Sequence, residues 1–104
     1  ETLSRVDGYI GQIIQALKDA GIYDDSIIIV TADHGGIGKK HGGKSLVELE
    51  IPFIIFGKNV KNTGEFKQTM MQFDTAATIA DIFSLKMPRF LFLFNYITKM
   101  IKCY

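Results

Sequence analysis

A chain of 104 residues, 47% of them apolar, is the size of one small domain, and its 12 basic against 11 acidic side chains leave a formal charge of +1. Bulk charge therefore directs it toward neither nucleic acid nor an acidic membrane face. A single cysteine, Cys103, excludes an internal disulfide and a cysteine-paired zinc finger, and marks no oxidising compartment. No segment reaches the ~20 consecutive apolar residues of a membrane span; the nearest, 90–101, is shorter and is interrupted by Asn95 and Lys99.

The first residues lack the apolar core of a signal peptide and read as helix at once, so the chain is expected to begin inside a larger fold. Val6, Ile10, Ile13, Ile14 and Leu17 recur at helical spacing with charged and amide residues between them, which predicts an amphipathic helix. Gly21 is placed to end it as a left-handed cap. Asp24 and Asp25 predict a turn. The β-branched run over 26–32 then predicts a strand buried on both faces, as in a parallel sheet. A loop of glycine and lysine follows from Gly35 to Lys44, and a short helical turn is expected over 46–50. Pro52 opens a second strand, Phe53-Ile54-Ile55-Phe56, closed by Gly57. Residues 58–68 read as a polar loop with a surface hairpin. Asp74 then predicts an N-cap for a helix over 75–83, with Ala76, Ile79, Ala80 and Phe83 inward. After Pro88 the character changes to an aromatic stretch, 90–94, with neither helical nor strand alternation; such a window favours self-association.

The chemistry-bearing residues gather where the first strand runs out. Asp33 and His34 stand together at its end, the place beyond the carboxyl ends of strands where open α/β sheets bind ligands. A carboxylate beside an imidazole suits zinc, manganese or a similar divalent ion. His41 follows seven residues after His34, far enough for a glycine loop to return a second imidazole to the same face. Lys39, Lys40 and Lys44 make the loop positive, which favours an anionic substrate, although a solvated loop accounts for them more simply. An Asp-His pair at a strand end can equally cap the next turn through side-chain to backbone bonds. The occurrence of both histidines of the chain in one glycine loop favours the metal. Ile37 is the apolar residue best placed to anchor that loop.

Other anion and nucleophile motifs fail. A P-loop around Gly38-Lys39 would need glycine where Asp33 stands and Ser or Thr where Lys40 stands. A dinucleotide fingerprint from Gly36 would need Gly or Ala in place of His41. Ser4, Ser26, Ser45 and Ser84 have no nucleophile-elbow context.

The blocks Thr31-Ala32-Asp33-His34-Gly35-Gly36, His41-Gly42-Gly43 and Glu50-Ile51-Pro52-Phe53-Ile54-Ile55-Phe56-Gly57 occur in that order. Together they resemble the alkaline phosphatase and sulfatase superfamily, most of all its type I phosphodiesterase and nucleotide pyrophosphatase group. The stretch Asp74-Thr75-Ala76-Ala77-Thr78-Ile79 is similar to the late Asp-x-x-Pro-Thr-Ile helix of that superfamily, with Ala77 in the proline's place. The resemblance covers residues 1–88. It implies an α/β fold, part of a three-layer α/β/α sandwich of the alkaline phosphatase-like type, with 89–104 as an aberrant hydrophobic tail. It also implies a metal-dependent hydrolase of phosphate mono- or diesters acting on an anionic small-molecule ester. Asp33 and His34 would then bind one ion and His41 a second, with zinc first and manganese or calcium as alternatives. The Thr or Ser nucleophile, another metal-binding Asp and an Asp-x-x-x-His pair lie upstream in such enzymes, so this chain alone is expected to be inactive. The alternatives are a sulfatase fragment, in which His41 and Lys44 would contact sulfate, and a non-catalytic domain that binds a metal or a partner.

Overall fold

The computed structural model describes residues 2–61, 64–65 and 69–86, which fall into two units, one ending at Lys58 and the other starting at Asn59. In the first unit, helix α1 (Thr2–Asp19) forms where the apolar residues repeat at helical spacing. Ile10, Ile14 and Leu17 are half-buried while Val6 and Ile13 are exposed, so the inward stripe is narrower than the sequence pattern implies. The expected glycine cap is present. Gly21 takes φ +70°, its N–H donates to the Lys18 carbonyl, and the Ile22 N–H donates to the Leu17 carbonyl. That pair of bonds is the Schellman arrangement, which favours a residue without a Cβ. Lys18 Nζ then lies 5.0 Å from the centroid of the Tyr23 ring, a cation–π contact onto the short helical turn Tyr23–Asp25.

Strand β1 (Ile27–Thr31) pairs with β2 (Phe53–Gly57), with Ile27 opposite Gly57 and Thr31 opposite Phe53. The pairing is antiparallel, and this corrects the parallel sheet expected from the β-branched run. Ile27, Ile28, Ile29 and Val30 are each half-buried rather than enclosed on both faces. The reason lies in the connection. A parallel pair needs a crossover, usually a helix lying across the sheet. Here residues 32–52 hold only the one-turn helix α2 (Leu46–Leu49) and a folded loop. The chain leaves β1 at Thr31 and re-enters at its partner Phe53, so the whole of 32–52 sits at one end of the ladder. At the other end Lys58 donates its N–H to the Ser26 carbonyl at 2.8 Å and its ammonium to Asp25 Oδ1 at 2.5 Å.

In the second unit, helix α3 (Asp74–Ile82) buries Asp74, Ala77 and Thr78, with Asp81 and Ile82 half-buried. This corrects the expected inward face. Ala76, Ile79 and Phe83 are exposed and Ala80 is half-buried. The two stripes have the same spacing but are offset by two residues, close to half a turn of helix. Polar Asp74 and Thr78 are buried with partial local satisfaction, Asp74 Oδ1 being left without a hydrogen-bond partner among the described residues. Asp74 Oδ2 accepts the Met71 N–H at 2.8 Å, and the Thr78 hydroxyl donates to the Asp74 carbonyl at 2.7 Å. The Asp74 carboxylate thus closes the turn before the helix rather than capping the helix itself. At the far end Ser84 adopts φ +51°, and the Leu85 N–H donates to the Ala80 carbonyl at 2.8 Å. The hairpin expected within 58–68 lies partly, and the self-associating window 90–94 with the tail 89–104 lies wholly, outside the described residues. Among the described residues no helix is long and apolar enough to cross a membrane.

Two outcomes are expected. Ser84→Gly removes a Cβ from a left-handed position and should raise stability by roughly 0.5–1 kcal/mol in urea titration; an unchanged midpoint would show that the turn costs Ser84 nothing. The hydrogen bond and charge of Lys58 hold the Asp25 carboxyl below the ordinary aspartate range. A carboxyl depressed on folding stabilises the fold fully above its unfolded pKa and loses that contribution as pH falls through the folded one. Melting temperature should therefore fall less steeply with acid, in the range at and below ordinary aspartate titration, for Asp25→Asn than for the parent chain. Coincident slopes would mean that the pair is screened out.

Candidate functional site

The loop 32–52 is built from backbone hydrogen bonds. The Gly35 N–H donates to the Glu48 carbonyl at 2.9 Å and the Gly36 N–H to the Val47 carbonyl at 3.1 Å, so α2 is stitched to the residues just after Asp33-His34. Gly35 is required for this approach. A Cβ there would lie 2.2 Å from the Val47 carbonyl oxygen and 2.9 Å from that of Glu50. Ile37 and Lys40 then exchange two backbone hydrogen bonds, each 3.0 Å, around Gly38-Lys39. This tight turn sends the chain back on itself. Ile37 is exposed, so the anchor is the backbone ladder rather than the apolar contact expected of it.

The reversal brings His41 to His34, with ring centroids 4.4 Å apart and planes inclined at 50°. His34 Nδ1 lies 2.7 Å from the Gly35 carbonyl oxygen. A carbonyl only accepts, so Nδ1 carries the proton, and in the neutral ring Nε2 carries the lone pair. That Nε2 faces Asp33 Oδ2 at 3.6 Å. The other carboxylate oxygen, Oδ1, accepts the His34 N–H at 3.1 Å. Asp33 thus makes the side-chain to backbone cap that the sequence left open, and it does so with one oxygen while the second faces the imidazole. The three predicted ligands form two successive contacts, Asp33 to His34 and His34 to His41. Among the described residues no group of three or more His, Cys, Asp or Glu side chains is gathered tightly enough to hold an ion.

Lys39 lies at the tip of the turn, Lys40 closes it, and Lys44 follows the second glycine pair; all three are exposed. None of them is in an ion pair among the described residues. One residue of this loop was not singled out from the sequence. Glu48 accepts the Ser45 hydroxyl at 2.6 Å and the Gly43 N–H at 2.9 Å. Those bonds, the hydroxyl first, hold its carboxyl below the ordinary glutamate range. The signal was readable, because Ser45-x-x-Glu48 has the spacing of a capping box ahead of a helix.

The sulfatase family profile matches residues 1–85. The chain belongs to the sulfatase family. It is 31% identical over 88 residues to a phosphopentomutase of Clostridium perfringens, an alignment covering 85% of this chain and 21% of that protein. A phosphopentomutase of Clostridium botulinum is 35% identical over 89 residues, with the same coverage of 85% and 21%. Arylsulfatase K of Danio rerio is 25% identical over 84 residues, 76% of this chain and 16% of that protein. No solved structure matches the chain significantly. The chain thus spans about one fifth of the length of the phosphopentomutases it matches. The family places it within the alkaline phosphatase and sulfatase superfamily, and its α/β arrangement is a portion of that fold. None of these three relatives is named a nucleotide pyrophosphatase.

The bare Cα of Gly35 can be tested directly. Gly35→Ala should cost about 1–3 kcal/mol, because backbone carbonyls, not a flexible side chain, stand where the methyl must go. Urea unfolding checks this, and a cost below ~0.5 kcal/mol would mean that the loop and α2 part readily.

Proposed function

We propose that this loop is the ion-binding part of a phosphoryl-transfer enzyme acting on a small phosphate ester, with a phosphopentose as the substrate class that its relatives' names suggest. The observation that carries the reading is the meeting of His34 Nε2 and Asp33 Oδ2 at 3.6 Å. Two donors each 2.0–2.2 Å from a tetrahedral ion stand about 3.4 Å apart. A neutral imidazole nitrogen and a carboxylate oxygen at that separation suit a divalent cation, and Gly35 fixes the tautomer from behind, as second-shell carbonyls do for metal-bound histidines. Asp33 and His34 would hold one ion. His41, whose ring centroid lies 4.4 Å from that of His34, would serve a second. A divalent ion, when bound, neutralises charge on a phosphoryl oxygen and lowers the pKa of a coordinated hydroxyl.

What the chain's own residues supply is placement and charge. The stitched loop presents its donors at one end of the β1–β2 ladder. Lys39, Lys40 and Lys44 add positive charge that attracts a phosphate ester. Three donors are fewer than two ions require, so the remaining ligands and the nucleophile belong to the whole protein. Zinc suits this set of one carboxylate and two imidazoles best, manganese draws mainly on the carboxylate, and calcium, which takes oxygen ligands, suits it least. Whether the phosphoryl group passes to water or to another hydroxyl is decided outside these residues, so hydrolysis of mono- or diesters stays within the proposal. A sulfate-ester reading draws on the arylsulfatase likeness, with His41 and Lys44 on the sulfate.

Calorimetric titration with Mn²⁺ and Zn²⁺ tests the reading. Asp33→Ala and His34→Ala should each weaken binding at least tenfold. In the presence of the ion, inorganic phosphate at ~100 times its Kd should stabilise the chain by about 2.7 kcal/mol, and sulfate by much less. The reverse order of the two anions moves the conclusion to a sulfatase. Unchanged ion affinity in both variants removes the site.

A further inference from the structure

We infer that Glu48 is the positioning residue of this loop, clamping the segment that carries His41 and Lys44 against the segment that carries Asp33 and His34. The inference deepens the ion-binding reading above and rests on it for its significance, but not for its geometry.

Glu48 bonds in both directions. Its carbonyl accepts the Gly35 N–H at 2.9 Å, next to His34 in the chain. Its carboxylate accepts the Gly43 N–H at 2.9 Å and the Ser45 hydroxyl at 2.6 Å, on either side of Lys44. A single residue therefore ties the first limb of the loop to the second. Between its two attachments the chain makes only the turn at Gly38-Lys39 and then His41. Without the carboxylate bonds, the second limb keeps the Ile37–Lys40 bridge at one end and, at the other, the backbone bonds of α2 to Ser45, Gly35 and Gly36. His41 lies between that bridge and Gly43, so the Glu48 carboxylate fixes the chain on the far side of His41 from the turn.

Gly43 shows how closely the clamp is seated. A Cβ there would lie 2.2 Å from Glu48 Oε2, 2.6 Å from Oε1 and 2.7 Å from Cδ. The carboxylate rests against the bare Cα, and a methyl at that point must push it away. Charge strengthens the same bonds, because an ionised acceptor forms hydrogen bonds roughly twice as strong as a neutral one. Gln in place of Glu48 keeps an acceptor for Gly43 and a polar group for Ser45, and so keeps the geometry in weaker form.

The test uses the full chain and two readouts. Nuclear Overhauser contacts between the His34 and His41 rings report the spacing without any ion, and contacts across Ile28–Phe56 report the ladder. Zn²⁺ calorimetry reports the consequence. Glu48→Ala and Gly43→Ala, which reach the clamp from opposite sides, should both lose the ring contact, keep the ladder and bind Zn²⁺ about tenfold or more weakly. Glu48→Gln should restore the ring contact. A ring contact that survives in Glu48→Ala overturns the inference. So does loss of the ladder together with the ring contact in both variants, which would make Glu48 a general support of the fold. A parent chain with the ring contact but no Zn²⁺ binding sinks the ion-binding reading instead, and the ring contacts of the variants still decide Glu48.

Discussion

The antiparallel register of β1 and β2 is the constraint on which the candidate site depends. Because Thr31 faces Phe53, the ends of the connecting segment are held at the separation of neighbouring strands, about 5 Å. Closing a loop costs conformational entropy. Here the sheet bears that cost, and the loop is left to fold on itself. Every residue with candidate chemistry, from Asp33 to Glu48, lies within that closed segment. A parallel pairing would have carried the chain away from Asp33-His34 along a crossover, and His41 would have no short route back.

Much of the fold was legible because it depends on local rules. The apolar spacing of Ile10, Ile14 and Leu17 and the glycine after Ala20 define α1 and its end without reference to anything distant. The β-branched run and the Pro52-led run mark two strands for the same reason. What could not be read is what depends on partners. An unbroken run such as Ile27-Ile28-Ile29-Val30 is equally at home in a parallel or an antiparallel pair, since both use the same extended backbone. The inward face of α3 failed in the same way. Ala76, Ile79, Ala80 and Phe83 and the observed Asp74, Ala77, Thr78 and Asp81 both have helical spacing, and hydrophobicity chose the first. The structure buries the second, where Asp74 Oδ2 accepts the Met71 N–H and the Thr78 hydroxyl donates to the Asp74 carbonyl, although Asp74 Oδ1 is left unpaired among the described residues.

The residues of the candidate site could be named from the sequence, but the contacts that support their loop could not. Asp33, His34 and His41 follow from the presence of every histidine in one glycine loop. The alternative of a plain turn cap does not exclude the other reading, since Asp33 gives one oxygen to the His34 amide while the other faces the imidazole. The supporting contacts were hidden because they run through the backbone. The Val47 and Glu48 carbonyls that receive Gly35 and Gly36 carry no side-chain signature, and only the Ser45-Glu48 spacing hinted at the rest.

This choice of support has a thermodynamic consequence. Among the described residues the buried ones are Asp74, Ala77 and Thr78, so the loop is not packed around a core of its own. Its shape rests on the Glu48 carboxylate and on backbone bonds, the latter worth about 0.5–1.5 kcal/mol net each. A handful of such bonds holds a conformation only modestly above its open alternatives. An ion that binds only the closed form draws on that same small difference: it shifts the population toward the closed form by its affinity. Conversely, each bond within the loop that keeps His34 and Asp33 at their separation lowers the ordering that an ion must impose. The glycines at 35 and 43 therefore serve the site through their bare Cα atoms, because each allows an oxygen of another residue to come close enough to hold the limb in place.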